Sequence, residues 1–337
     1  MTLLSSPTRV HGGPDARGRA RWDFSTNANA AGPCPMALDA IGAADASRYP
    51  DPAYRALREL LAQWHGVSRE RILVAGSASE FIQRVTAVGA RIAPGPVAVP
   101  MHAYGDYAIA ASAWGRSLVP AADPSATLRW HCDPTSPCGQ DEPLSSSTEA
   151  ITVLDAVYAP LRLEGTRQYG TARSTVFELH SPNKALGLTG LRGAYVVAPE
   201  LTDDVTPWTA ALERAAPSWP LGAHAVAMLT AWTSPQTHRW LAESKATLRR
   251  WKHSQVDMLR AAGAEVNDSV TNFFCARLRS GCTARALRDH DIAVRDASSF
   301  GLPGWVRLSV QAPEAQAALE AALRALNLGV TFTRTMP

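Results

Sequence analysis

Apolar residues first recur at helical spacing just after Asp51-Pro52. Leu57, Leu60, Leu61 and Trp64 share one face, behind an Asp-Pro start signal and ahead of a stop at Gly66. Beyond that helix the pattern changes period. Short β-rich runs at 71–75, 96–100, 151–154, 175–179 and 194–197 alternate with helical or loop segments. Strands alternating with helices predict an α/β sandwich over a mainly parallel sheet. From 223 to 262 the chain reads as long helices rich in Ala, Leu, Trp and Arg, interrupted near Ser234-Pro235. A strand at 273–278, a helix at 283–289, a strand at 305–310 and a final helix at 313–326 follow. The expected organisation is a large α/β/α lobe over 48–240 and a smaller α+β lobe over 241–337. The irregular segment 1–47 then packs on the small lobe or on a partner subunit.

Composition narrows the classes. The 337 residues are 46% hydrophobic and 19% charged, which supplies a real core and excludes disorder as the dominant state. With 33 basic against 30 acidic side chains the net charge is only +3. The Arg249, Arg250, Lys252 cluster reads as a solvated helix face, so no nucleic-acid partner is expected. No apolar run approaches ~20 residues, so no membrane span is expected. The first 21 residues carry Arg and Pro breaks without an apolar stretch, so no secretory signal is read there. Cys34, Cys132, Cys138, Cys275 and Cys282 are odd in number and scattered, in keeping with a reducing cytoplasm. His131 with Cys132 and Cys138 matches no zinc spacing, and no metal is expected.

Three features carry candidate chemistry. Ser181-Pro-Asn-Lys184 follows a β-rich run and leads through Gly187 and Gly190 to Arg192. A poorly solvated lysine at the carboxyl end of a strand has a lowered pKa and becomes a nucleophile towards carbonyls, and Arg192 can hold an anion beside it. Asp155 ends an apolar strand, at the sheet edge where α/β proteins bind ligands. Gly76-Ser-Ala-Ser-Glu80 is a small-residue turn before a helical stretch, and its backbone N–H groups suit a phosphate. Each has an ordinary alternative: a surface lysine in a loop, a turn aspartate, plain helix capping. Together they match what pyridoxal 5′-phosphate (PLP) requires: a lysine for a Schiff base, a carboxylate for the pyridine nitrogen and an anion site for the phosphate.

At these residues the chain resembles the fold-type-I PLP enzymes, in the branch of histidinol-phosphate aminotransferases and threonine-phosphate decarboxylases. The resemblance runs over nearly the whole chain. It is carried by Asp23-Phe-Ser-Thr-Asn-Ala-Asn29, Arg48-Tyr-Pro-Asp-Pro-Ala-Tyr54, Ser181-Pro-Asn-Lys-Ala-Leu-Gly-Leu-Thr-Gly-Leu-Arg192 and Val294-Arg-Asp-Ala-Ser-Ser-Phe-Gly301 with Val306-Arg307. It implies that Lys184 carries the cofactor and shuttles the proton. Asp155 pairs with the pyridine nitrogen, and Tyr158 contacts the ring hydroxyl. Ser77, Ala78, Ser79, Ser181 and Arg192 surround the phosphate. Tyr104 stacks on the ring, with Tyr107 as the alternative stacking residue and a plain core tyrosine as a third reading. Tyr49 reaches the neighbouring subunit's cofactor phosphate, which implies a homodimer. Arg307 and Arg295 grip the substrate's carboxylate or phosphate, and Asn29 approaches the substrate. His11-Gly-Gly13 resembles the decarboxylases' N-terminal signature, which puts the histidine by the substrate phosphate.

The chain also departs from the family. Asp133-Pro-Thr-Ser-Pro-Cys-Gly139 has Ser136 where the family has an asparagine that contacts the ring hydroxyl, and the stretch from Gly139 to Asp155 is short for the family's helix. The expected function is a PLP-dependent aminotransferase acting on a small, phosphorylated amino substrate. The alternatives are a threonine-phosphate decarboxylase-like enzyme and a catalytically attenuated member of the fold.

Overall fold

The computed structural model describes residues 11–144, 150–166 and 175–327, so the first ten and last ten residues of the two expected terminal units lie outside it. The chain opens with β1 (Trp22–Asp23), α1 (Pro35–Gly42) and α2 (Arg55–His65). It then alternates: β2 (Ile72–Ala75), α3 (Ala78–Ile92), β3 (Val97–Val99), α4 (Gly105–Ala113), β4 (Leu118–Pro120), β5 (Leu128–Cys132), β6 (Ile151–Asp155), β7 (Phe177–His180) and β8 (Ala194–Val197). Three helices follow, α5 (Val205–Arg214), α6 (Ala223–Trp232) and α7 (Pro235–Ala261). The remainder is β9 (Glu265–Val266), β10 (Phe273–Arg277), α8 (Ala284–Asp289), β11 (Ile292–Ala293), β12 (Arg295–Asp296), β13 (Val306–Ser309) and α9 (Pro313–Asn327).

Strands β2 to β8 form a seven-stranded sheet in the order β2-β8-β7-β6-β5-β3-β4, parallel throughout except for β8, which runs against both its neighbours. A sheet covered on both faces needs strands that are apolar on both faces, and β2 and β8 are buried along their whole length. Their alternation splits the core in two. Ile72, Val74, Tyr195 and Val197 join the apolar cluster beneath α1, α2, α6 and α7. Leu73, Ala75, Ala194 and Val196 join the one beneath α3, α4 and α5. This is the expected α/β sandwich.

A second sheet, β12-β13-β10-β9, is antiparallel; α8 packs on β11 and on α9, and α9 packs also on α7. The N-terminal segment is stitched to this part of the chain: β1 pairs in parallel with β11, and the Ser309 N–H donates to the Phe24 carbonyl at 2.8 Å. Helix α7 runs unbroken past residue 240, so the passage from one sheet to the other follows a helix. The break expected near Ser234-Pro235 separates α6 from α7, and there the Ser234 hydroxyl caps the new helix with Pro235 in its first turn. Helix α2 starts later than Asp51-Pro52 suggests, because Asp51 accepts the N–H groups of Ala53 and Arg55 in a turn of its own. Among the described residues no helix is long and apolar enough to cross a membrane.

Candidate active site

Strands β5, β6 and β7 end side by side. Cys132 lies opposite Asp155, and Asp155 lies opposite Leu179. The Asp155 carboxylate is buried, and each of its oxygens accepts one hydrogen bond. The Tyr107 hydroxyl donates to Oδ2 at 2.6 Å and the Val157 N–H donates to Oδ1 at 3.1 Å. Burial pushes its pKa up, and those two donors and the Lys184 charge oppose that rise.

Just past β7 the chain turns tightly through Lys184. Leu188 N–H donates to the Asn183 carbonyl at 2.7 Å, and the Asn183 amide donates to the Leu191 carbonyl at 3.0 Å. From outside, Asn29 N–H donates to the Lys184 carbonyl and Cys34 N–H to the Leu186 carbonyl, both at 2.9 Å. Gly187 sits at φ +70°, where an added Cβ would stand 3.1 Å from the Pro33 Cα and 3.2 Å from the Asn29 carbonyl oxygen. Only glycine lets the N-terminal segment close on this turn.

The whole sequence holds three lysines. Lys252 donates to Glu164 at 2.8 Å and also meets the Ser269 carbonyl. Lys245 is on α7, its pKa lowered by burial and by Arg249 and Arg162. Lys184 alone stands beside a buried carboxylate at the sheet edge. Burial brings its pKa down to about 8; Asp155 opposes the shift while Arg192 and Arg307 add to it. Only the neutral amine attacks a carbonyl. Capture of an aldehyde by the apo chain is therefore expected to slow about tenfold per pH unit below about 8 and to level off above it. Stopped-flow absorbance across pH checks this, and a limb near the ordinary lysine value of 10.5 would contradict it.

Around the lysine, Tyr158 presents its ring 5.5 Å from Nζ and is held edge-on by Phe273. Its hydroxyl accepts the Asn27 amide at 3.3 Å. Ser77 caps α3 by accepting the Glu80 N–H at 3.0 Å, which leaves Ala78 and Ser79 heading the helix where N–H groups lack intrahelical partners. Ser79 and Tyr104 meet through their hydroxyls at 3.4 Å. Arg192 is exposed at the start of β8.

On the other side, Arg307 of β13 lies directly opposite Arg295 of β12, and both side chains are buried. Arg307 donates to the Ser25 carbonyl at 3.1 Å and reaches the Ser136 hydroxyl at 3.5 Å; its Nε has no partner. Arg295 donates to the Asp296 carbonyl and the Ser299 hydroxyl, both at 2.7 Å. Burial and the facing Arg307 bring its pKa down to about 10. The Asp296 charge acts the other way, by less than Arg307 does, and two buried guanidiniums facing each other across a rung suit an anion between them.

Some expected residues sit elsewhere. Asn29 does not face the site: its amide donates to the Ala185 carbonyl and the Ser244 hydroxyl and accepts the Ala31 N–H. The asparagine that does is Asn27, buried beside Tyr158 with its Oδ1 unpartnered. The Ser181 hydroxyl is turned into its own loop, towards the Gly193 carbonyl and Asn183. Tyr107 packs beneath Asp155 against Trp130, whereas Tyr104 turns its hydroxyl to Ser79. His11 comes within 6.5 Å of the Tyr104 ring because Gly13 N–H docks on the Ser25 hydroxyl at 2.7 Å. Tyr49 is 79% exposed and packs its ring on Trp219 at a 31° tilt.

A half-buried lysine beside a buried carboxylate at the carboxyl edge of a mainly parallel sheet, near the capped start of α3, fits an α/β enzyme of amine chemistry. The model of the class I and II aminotransferases matches residues 22–326, and the chain belongs to that family. It is thus a PLP-dependent aminotransferase by family, as its motifs implied. It is similar to histidinol-phosphate aminotransferase from Jannaschia sp. (strain CCS1), 28% identical over 335 residues and covering 90% of each chain. Two solved structures share the fold. Histidinol-phosphate aminotransferase from Sinorhizobium meliloti in complex with pyridoxal-5′-phosphate matches at a TM-score of 0.80 and 20% identity, over 98% of this chain and 99% of that one. L-threonine-O-3-phosphate decarboxylase from Porphyromonas gingivalis matches at 0.67 and 23%, over 86% and 92%.

Proposed function

We propose that the chain transfers an amino group between a small phosphorylated amino substrate and a keto acid, using PLP held at Lys184. The observation that carries the substrate class is the buried Arg295–Arg307 rung, which offers two guanidiniums to one anionic group. The residues present fit the cofactor. Asp155 would serve the ring nitrogen, Lys184 the aldehyde, and Tyr158, with Asn27 behind it, the ring hydroxyl. The head of α3 with Ser77, Ala78 and Ser79, together with Arg192, would serve the phosphate. When bound, PLP supplies an electron sink that makes the substrate's Cα–H acidic. With the cofactor bound, the Lys184 amine would be the base that takes the proton from the substrate's Cα and gives it back. Asp155 would keep a proton on the ring nitrogen, and Arg307 would hold and orient the substrate's anionic group.

Ser136 in place of the family's asparagine leaves the ring hydroxyl to Tyr158, since the Ser136 hydroxyl meets Arg307 instead. We place the enzyme in a cytoplasmic homodimer. The exposed ring pair Tyr49 and Trp219 supports the subunit contact, with Tyr49 serving the neighbour's phosphate, and five free cysteines support the compartment.

One observation favours the decarboxylase reading: the docked His11-Gly-Gly13 segment. A Cβ on Gly12 would stand 2.2 Å from the Ser25 carbonyl oxygen, so Gly12→Ala must lift the segment. If His11 binds the substrate phosphate, this variant loses about tenfold in kcat/KM and none in PLP affinity. An unchanged kcat/KM removes His11 from the site.

The function is tested by two assays on the PLP-loaded protein. Histidinol phosphate with 2-oxoglutarate is assayed for glutamate, and L-threonine phosphate for carbon dioxide. Glutamate without carbon dioxide is expected. Carbon dioxide alone would make the protein a decarboxylase, and neither product from a cofactor-loaded chain would mark an attenuated member of the family.

A further inference from the structure

Tyr107 lies on α4, three residues beyond Tyr104, and is fully buried. Its ring lies flat against Trp130 of β5, with centroids 4.3 Å apart and planes 10° apart. The hydroxyl bond to Asp155 Oδ2, at 2.6 Å, is at the short end of the range for a phenol on a carboxylate. Cys132, opposite Asp155 in the β5–β6 register, touches the same hydroxyl from the strand side. A phenol has one proton to give, and this one is aimed by a stacked ring at one carboxylate oxygen.

We propose that Tyr107 is the positioning residue of Asp155: clamped by Trp130, it orients the carboxylate and holds its negative charge towards the cofactor's ring nitrogen. The proposal rests on the PLP reading above. It also gives Tyr107 a task distinct from the stacking on the ring expected of Tyr104.

The physical need is plain. A carboxylate out of water takes up a proton, and a protonated Asp155 cannot accept the ring N–H. Of the groups that act against burial at Asp155, Tyr107 is the largest, ahead of the Val157 N–H and Lys184; Asp106 acts the other way. Tyr158 and Cys132 face the same carboxylate. Removing the phenol proton must therefore let Asp155 protonate at higher pH.

Tyr107→Phe keeps the ring and its stacking and removes only the hydroxyl. The readout is PLP affinity, followed by quenching of tryptophan fluorescence from acid to neutral pH. Wild-type uptake in the same titration tests the cofactor reading on its own, whereas Tyr107 is judged by the displacement of the acid limb from the wild-type position. That limb is expected to move up by about one pH unit, so that affinity inside the window falls up to about tenfold. The plateau above it changes by no more than about twofold. In an Asp155→Asn background the same substitution is expected to leave the pH profile unchanged, because a neutral amide has no charge to hold.

A purely structural tyrosine would weaken binding equally at every pH and would still do so with Asp155→Asn. That result, or an unmoved limb, overturns the proposal. Trp130→Leu, which keeps the hydroxyl but loosens its clamp, is the second variant. It is expected to shift the limb in the same direction by less, and an unmoved limb there contradicts the clamp.

Discussion

Lys184→Ala is expected to abolish covalent capture of PLP and to lower kcat by at least about a thousandfold, since the nucleophile and the proton carrier are lost together. The fold is expected to survive. The turn around Lys184 is held by backbone bonds from Asn29, Cys34 and Leu188 and by the Asn183 amide, none of which uses the amine. Loss of the amine removes the attraction to Asp155 together with the repulsion from Arg192 and Arg307, so the two electrostatic changes oppose each other. Intact mass after mixing with PLP, a thermal melt of the apo chain and steady-state turnover check the three parts. Normal turnover in this variant would mean that another lysine does the chemistry.

Arg307→Ala is expected to cut kcat/KM for the phosphorylated substrate by about a hundredfold and to leave PLP affinity within about twofold. The guanidinium's neighbours are the Ser25 carbonyl, the Ser136 hydroxyl, and Arg295 across the rung. None of these lies at the head of α3, where we propose the cofactor phosphate binds. Because Arg307 lowers the Lys184 pKa, its removal also moves the aldehyde-capture limb upward in pH. Substrate kinetics and cofactor titration on the same preparation separate the effects. Equal loss of both would remove Arg307 from substrate binding.

The alternation of apolar runs and helical stretches made the sandwich legible, and β8 at 194–197 and the α6–α7 break followed directly from it. Strand β5 did not. Its buried face carries Leu128, Trp130 and Cys132, yet Arg129 and His131 between them are also buried, so no alternation of apolar with exposed polar residues marks it. Burial and the Arg129 charge hold His131 down to a pKa of about 4, so it is neutral at ordinary pH. The four-residue strand β7 was placed two residues early at its start, where Thr175 and Val176 continue the same β-rich composition.

At the site, Lys184, Asp155 and Tyr158 could be found because each sits at a strand end or one turn beyond it. The choice between Asn27 and Asn29 could not be made from spacing. The two are a strand period apart in one motif, and only the docking of residues 29–34 on the Lys184 turn commits Asn29 to the scaffold. Tyr104 and Tyr107 pose the same problem on a helix. Three residues apart, they share a face by sequence, yet one meets Ser79 and the other lies under Asp155. Pairing across the second sheet was equally silent. Nothing in the twelve-residue spacing of Arg295 and Arg307 shows that β12 and β13 set them on one rung.

The central claim is that PLP is held at Lys184, and three lysines in the sequence make it directly testable. The protein is loaded with PLP, reduced with borohydride, digested and mapped by mass spectrometry. One cofactor adduct per chain is expected, on the peptide that contains Lys184. An adduct on the peptide of Lys245 or Lys252, or no adduct at saturating PLP, would contradict it.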